Sequence, residues 1–147
     1  MSNLIELAKQ IALAAHSGQK DRAGKPFCLH LQKVANLVDT EEEKAVAWLH
    51  DILEDTDYSS LMLLHEGIPG EIINIVEILT KRPGEDYLND YLARVKTNAI
   101  ATKVKLADLT HNSDFTRLLK ITQKDLDRRD KYIKAQAYLD SFPSPQV

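Results

Sequence analysis

Apolar residues recur at three- and four-residue spacing along most of the chain, which is the period of an amphipathic helix. No window alternates between apolar and polar residues long enough to predict a buried strand. In the first predicted helix, the expected buried face carries Leu4, Leu7, Ile11 and Ala14. The pattern therefore predicts an all-α fold.

Turn formers and capping residues set the predicted helix boundaries. Gly18, Gly24 and Pro26 interrupt the first helical pattern, and Thr40 with Glu43 forms a capping box that starts a later helix. The predicted helices cover residues 3–17, 29–38, 41–57, 58–65, 69–80, 85–96, 98–111 and 122–140. From about residue 141 we expect a frayed tail.

Composition narrows the class of protein. The 147 residues, 44% apolar and 28% charged, predict a single domain over 1–147 that buries its own core. The net charge of −3, with both signs interspersed, argues against a nucleic-acid or membrane partner. Cys28 is the only cysteine, and no targeting or membrane-spanning segment is recognised, which predicts a reducing, cytoplasmic location.

The stretch "WLHDILEDTD" concentrates polar chemistry in an apolar setting. On a continuous helix, His50 would lie over Glu54 and Asp51 over Asp55, forming one stripe of an imidazole and three carboxylates. Such a stripe is either a solvated acidic face or a metal or acid–base site. Three neighbouring carboxylates repel one another unless a cation neutralises them. Both alternatives stay open on this stretch alone.

Two further residues complete a candidate ligand set. His30 and Asp108 each lie in a helical, mostly apolar context. A lone histidine there is usually a satisfied core residue. Together with His50 and Asp51, however, they would form a mixed nitrogen and oxygen set, which suits Mn²⁺, Fe²⁺ or Zn²⁺ better than Ca²⁺ or Mg²⁺.

Four segments in this order resemble a known family: "AAHSGQKDRAGKPFCLH", "AWLHDILEDTD", "ILTKR" and "VKLADLTHN". They are similar to the HD-domain hydrolases of the RelA/SpoT type, which remove the 3′-diphosphate of the alarmone (p)ppGpp, and the similarity runs from about residue 14 to 138. The resemblance implies a compact HD-domain bundle of about seven to nine helices, in a stand-alone, hydrolase-only form. It implies Mn²⁺ as the cofactor, with Fe²⁺ or Zn²⁺ as alternatives.

The resemblance also implies roles for individual residues. The implied metal ligands are His30, His50, Asp51 and Asp108, and the implied catalytic acids that act on the attacking water are Glu54 and Asp55. Candidates for binding a small-molecule nucleotide substrate are Lys20, Arg22, Lys81, Lys105 and Asn112. His16 matches a family position but, on the first helix, is interpreted as a packing residue or a neighbour of the ligands.

Departures from the family pattern bear on the substrate. Asp21 stands where the family often has arginine, and Leu31 where it often has proline, which puts the nucleobase preference in doubt. The alternatives are a phosphohydrolase of another nucleotide, such as the 2′-phosphate of NADPH or a deoxynucleotide monophosphate, and a non-catalytic nucleotide-sensing domain. Periodicity does not separate a core face from a dimer interface, so a homodimer also stays open.

Overall fold

The computed structural model describes residues 3–113 and 121–140. Within these ranges the chain forms nine α-helices and one π-helical segment, with no β-strand and one isolated bridge between Lys20 and Pro26. The α-helices are α1 (Asn3–Ala15), α2 (Cys28–Asn36), α3 (Glu41–Leu49), α4 (Ile52–Asp55), α5 (Ser60–His65), α6 (Gly70–Ile78), α7 (Ala93–Val95), α8 (Ala99–Asn112) and α9 (Gln123–Asp140), and the π-helical segment is Tyr87–Leu92. The predicted all-α class is confirmed.

Helix α3 lies at the centre of the bundle. It packs against α1, α2, α6 and α8, and its residues Ala45, Val46, Ala47 and Leu49 are fully buried. The apolar residues around it form one hydrophobic cluster that includes residues of α1, α2, α6, α8 and α9. Polar residues at the end of α3 are consequently held inside the bundle rather than on a free surface.

The start of α3 follows the predicted capping box. The Thr40 hydroxyl oxygen accepts a hydrogen bond from the Glu43 amide at 3.1 Å, and a Glu43 carboxylate oxygen accepts from the Thr40 amide at 3.1 Å. These reciprocal bonds satisfy amide donors that the first turn of a helix leaves unpaired. The predicted start of this helix is confirmed.

The predicted continuation of that helix through 41–57 is wrong. Helix α3 ends at Leu49, and α4 begins at Ile52 after Asp51 adopts φ −104° and ψ 1°. The His50 Nδ1–H donates to the Ala47 carbonyl at 2.6 Å, which is the acceptor that a continuing helix would pair with the Asp51 amide. The side chain of His50 thus competes with the backbone bond that would extend α3.

Two other local predictions need correction. Ala14 is exposed, because it lies about 200° around the helix from Ala12, whose face is buried with Ala8 and Ile11. The helix predicted for 85–96 contains a π-helical turn, in which the Tyr91 amide donates to the Asp86 carbonyl at 3.0 Å, five residues back.

The predicted tail from about 141 lies outside the described residues, and the single domain over 1–147 stays a prediction. No helix within 3–113 and 121–140 is long and apolar enough to cross a membrane. The cytoplasmic location and the homodimer are likewise still predictions.

Candidate metal centre

Four predicted ligands come together inside the bundle. His30 comes from α2, His50 and Asp51 from the turn between α3 and α4, and Asp108 from α8. One nitrogen or oxygen atom from each side chain lies within 4.8 Å of the others. His30, His50 and Asp108 are buried, and the Asp51 side chain is 23% exposed. The cluster therefore opens towards solvent on the side of Asp51.

The orientation of His50 is fixed by its backbone contact. Because the Ala47 carbonyl can only accept, Nδ1 carries the proton and Nε2 points into the cluster. Nε2 lies 3.2 Å from Asp51 Oδ2 and 3.4 Å from Asp108 Oδ1. Burial opposes a charge on His50, but the two carboxylates outweigh it and raise its pKa well above the usual value. The two carboxylates thus favour a positive charge, such as a proton or a metal ion, at Nε2 of His50.

His30 is oriented from the opposite side by a second histidine. Its Nε2 lies 2.9 Å from Asp108 Oδ1. Its Nδ1 lies 2.7 Å from His111 Nδ1, with the two rings stacked at 4.9 Å between centroids, so one nitrogen donates a proton to the other. Hydrogen bonds of this kind fix the tautomer and ring angle of metal-binding histidines.

Asp108 is the most heavily contacted carboxylate of the cluster. Besides the two histidines, it accepts a hydrogen bond from Asn112 Nδ2 at 3.1 Å and pairs with Lys105 Nζ at 3.1 Å. Burial opposes its charge, but Lys105 and the histidines hold the pKa of Asp108 well below its usual range. Asp108 is therefore an anion throughout the physiological pH range.

This donor set fits a divalent metal ion. Two imidazole nitrogens and two carboxylates converge on one point, three of the four residues are buried, and the partners of both histidines leave an Nε2 atom facing that point. Mixed imidazole and carboxylate sets of this kind bind first-row divalent metals. Their role as ligands stays a prediction.

The two predicted catalytic acids lie one turn beyond His50 and Asp51. A Glu54 carboxylate oxygen accepts from the Lys81 amide at 3.0 Å, which ties α4 to the segment after α6. Partial burial, followed by the charges of Asp51 and Glu54, raises the pKa of Asp55 to about 6. The two acids therefore differ: one carboxylate is anchored, and the other has a pKa close to neutral pH.

The predicted substrate-binding cations do not form a second cluster. Lys20 is exposed in the loop after α1, and Arg22 forms an ion pair with Asp125 of α9. Lys81 lines a surface cavity of about 460 Å³ that also includes Glu54 and Arg82. Lys105 is turned inward to Asp108, with Nζ 5.2 Å from the centroid of the Tyr91 ring, and Asn112 likewise donates to Asp108.

Asp21 accepts hydrogen bonds within its own loop. Its carboxylate accepts from the Ala23 amide at 2.8 Å and from the Lys25 amide at 3.0 Å, closing the loop on itself. The residue that departs from the family pattern therefore has a local structural role.

Three groups that contact the candidate site residues or their neighbours were not predicted from the sequence. Gln19 bonds His16 and the Asp55 backbone, Asp125 holds Arg22, and Tyr87 with Tyr91 lies beside the Lys105 ammonium. For the two tyrosines, the sequence offers the signal of helical spacing alone. The pairing of His16 with Gln19, three residues apart, is a short-range signal that could have been found.

Comparisons with known proteins show which sequences this chain resembles. No protein-family model matches the chain. A putative chloroplastic GTP diphosphokinase, RSH1, of Oryza sativa subsp. japonica is 30% identical over 132 residues, covering 75% of this chain and 15% of that protein. A guanosine-3′,5′-bis(diphosphate) 3′-pyrophosphohydrolase of Haemophilus influenzae is 32% identical over 116 residues, covering 69% of this chain and 17% of that protein. This chain therefore spans less than a fifth of the length of either relative.

A solved structure shares the fold. Its protein is a metazoan ortholog of SpoT, which is reported to hydrolyse ppGpp and to play a role in starvation responses. The match has a TM-score of 0.75 and 22% identity, and it covers 95% of this chain and 87% of that chain. The resemblance to the RelA/SpoT type is confirmed. The structural match also confirms the predicted HD-domain helical bundle.

Proposed function

We propose that the chain hydrolyses the 3′-diphosphate of the guanosine alarmones ppGpp and pppGpp, leaving GDP or GTP and releasing pyrophosphate. The convergence of four ligand atoms within 4.8 Å, with two carboxylic acids one turn away, supports this most directly. The named activities of the relatives and of the metazoan SpoT ortholog support the choice of substrate.

We assign manganese to the centre, with iron or zinc as alternatives, and His30, His50, Asp51 and Asp108 as its ligands. Two imidazoles and two carboxylates suit these ions, and a manganese centre agrees with the family resemblance. When bound, such an ion polarises a phosphoryl oxygen and makes a neighbouring water more acidic.

The acid pair supplies the proton transfers. Asp55, with its pKa of about 6, is mostly ionised at pH 7.5 and takes a proton from the attacking water. A bond forms between the water oxygen and the phosphorus attached to the ribose 3′-oxygen, and the bond from that phosphorus to the 3′-oxygen breaks. The leaving 3′-oxygen then receives a proton from the acid pair, while Glu54 keeps this segment in place through the Lys81 amide.

The remaining candidates neutralise and orient the nucleotide. Lys20 and Arg22 are exposed and Lys81 is partly exposed, so a polyanion can reach all three. Lys105 acts from inside by balancing Asp108, and Asn112 lies on the same helix one turn from Asp108, where we assign it a ribose contact. The Asp21 carboxylate caps its own loop, and we assign Lys20 and Arg22 as the cations of that segment that contact the substrate.

The test is direct turnover. The purified protein, loaded with manganese, is incubated separately with ppGpp, NADPH and a set of deoxynucleotide monophosphates, and the products are resolved by ion-exchange chromatography. We expect GDP and pyrophosphate from ppGpp, with turnover abolished by a chelator and restored by manganese. The doubly substituted Glu54→Gln, Asp55→Asn protein is the matched control for a contaminating hydrolase.

Each other outcome contradicts part of the proposal. Turnover of NADPH or a deoxynucleotide alone would keep the metal-dependent chemistry and overturn the alarmone as substrate. Binding of nucleotides without turnover would favour the sensing domain. Turnover that survives chelation would overturn the metal centre.

A further inference from the structure

His16 is a buried polar residue that the proposed chemistry leaves without a role. It directly follows α1 and is 3% exposed, with its ring 5.0 Å from the ring of Phe27. Burial lowers its pKa, so the imidazole is neutral at physiological pH. A neutral imidazole has one nitrogen that donates and one that accepts, and the neighbours of His16 decide which is which.

Gln19 determines the tautomer through a chain of two hydrogen bonds. The amide nitrogen of Gln19 donates to the backbone carbonyl of Asp55 at 2.9 Å, and since a carbonyl only accepts, the orientation of the Gln19 carboxamide is fixed. Its oxygen therefore faces His16 Nδ1 at 2.8 Å. That oxygen also only accepts, so Nδ1 of His16 carries the proton and Nε2 has a lone pair.

The lone pair of Nε2 has no donor among residues 3–113 and 121–140. Nε2 is buried and makes no hydrogen bond within this part of the chain. The Phe27 ring contacts both the His16 ring, at 5.0 Å between centroids, and the ring of the candidate ligand His30, at 5.3 Å. The charges of Asp51, His50 and His30 also act on the pKa of His16. A buried acceptor without a donor is costly unless a water molecule or a ligand supplies one. The ionised phosphates of a nucleotide can only accept hydrogen bonds, whereas a water molecule can donate one to Nε2.

We propose that His16 is a positioning residue whose Nε2 accepts a hydrogen bond from the attacking water beside Asp51. This inference rests on the proposed function. Gln19 fixes the tautomer that this contact needs. Its second hydrogen bond, to the Asp55 carbonyl, connects His16 to the segment that carries the acid pair. The water is thereby oriented by an uncharged acceptor on one side and approached by a carboxylate on the other.

Two conservative variants separate this role from simple packing. In His16→Gln, the carboxamide oxygen can take the position of Nε2, whereas in His16→Asn the amide is placed near Nδ1 and can keep the bond to Gln19. We expect His16→Asn and His16→Phe to lower kcat on ppGpp about 10- to 100-fold with an almost unchanged KM, as outer contacts of a metal centre commonly do. His16→Gln should recover part of kcat.

A structural role predicts the opposite order, because His16→Asn keeps the internal hydrogen bond and His16→Phe keeps a packed ring. Equal or greater activity of His16→Asn relative to His16→Gln would overturn the inference. Manganese stoichiometry and thermal melting are measured for all three variants, and kcat values are compared among those that retain metal and fold. Failure of the parent to turn over any nucleotide would overturn the proposed function and, with it, the role of this water.

The tautomer can be measured without turnover. Long-range proton–nitrogen NMR spectra of the metal-free protein with ¹⁵N-labelled histidine distinguish a protonated from an unprotonated ring nitrogen, and His16→Gln assigns the signals. We expect His16 with a protonated Nδ1 and an unprotonated Nε2 at pH 7.5. A protonated Nε2 would overturn the inference whatever the activity.

Discussion

The ligand side and the cation side of the candidate site are built differently. The ligand side, defined by His30, His50, Asp51 and Asp108, is mostly buried and held by α2, α3 and α8. On the cation side, Lys20 and Arg22 lie in an exposed loop and Lys81 follows α6, each beyond the end of a helix. The difference indicates that the core itself assembles the candidate metal centre, whereas the proposed substrate contacts can change without disturbing that core.

The largest effect should come from breaking the ligand side. His50→Ala or Asp51→Ala should abolish manganese binding and turnover together, because each removes one of four converging ligands and His50 also faces both carboxylates. Bound manganese is measured after dialysis by elemental analysis, and the fold by circular dichroism. Lys25→Ala, in the exposed loop, is the matched control. A full complement of manganese in the folded His50→Ala protein would place the metal elsewhere.

Removing the acid pair should separate chemistry from metal binding. Glu54→Gln with Asp55→Asn should keep manganese and fold while lowering kcat by about 10²- to 10⁴-fold, the usual range for loss of acid–base catalysis. Turnover and bound manganese are measured on the same preparation. Hydrolysis at the parent rate would show that these acids do not handle the proton.

A change on the cation side should be smaller and should appear in KM. Arg22→Ala is expected to raise KM for ppGpp about 10- to 100-fold, since one charge-assisted hydrogen bond is worth roughly 1.5–3 kcal/mol. Bound manganese should not change. The companion variant Asp125→Asn weakens the present partner of Arg22 without removing the cation, and should leave KM equal or lower. A loss of manganese in Arg22→Ala would mean that the two sides are not independent.

The smallest effect concerns the stability of the metal-free protein. Asp55 has a folded pKa of about 6, above its ordinary 3.8, so its ionisation disfavours the folded state. The penalty develops as pH rises from about 3.8, where the unfolded chain ionises, to about 6, and stays constant above that. Asp55→Asn should therefore raise the Tm at pH 8 and not at pH 3.5. Equal changes in Tm at both pH values would contradict the raised pKa.

Local patterns predicted the parts of the fold that local interactions decide. The helical period and the capping box at Thr40 and Glu43 act within a few residues, and both are confirmed. The break after α3 was missed because it depends on the His50 side chain bonding the Ala47 carbonyl, while the apolar pattern continues unchanged through the break. Helical periodicity alone contains no information about this competition.

Residue types and the resemblance to the RelA/SpoT hydrolases together predict the four proposed ligands. His30 and Asp108 lie 78 residues apart, and no spacing rule brings them to 2.9 Å. The internal pairing of Arg22 with Asp125 was not foreseen, because it joins residues 103 apart and neither position carries a local signal. Long-range partners of this kind decide which cations are available to a substrate.

The interruption after Leu49 has a directional consequence. Neighbouring residues on a regular α-helix point about 100° apart, so an adjacent histidine and aspartate start in different directions. At the turn, Asp51 adopts φ −104° and ψ 1°, and its Oδ2 lies 3.2 Å from His50 Nε2. The two adjacent side chains therefore converge at this turn, and a regular helix in its place would point them apart.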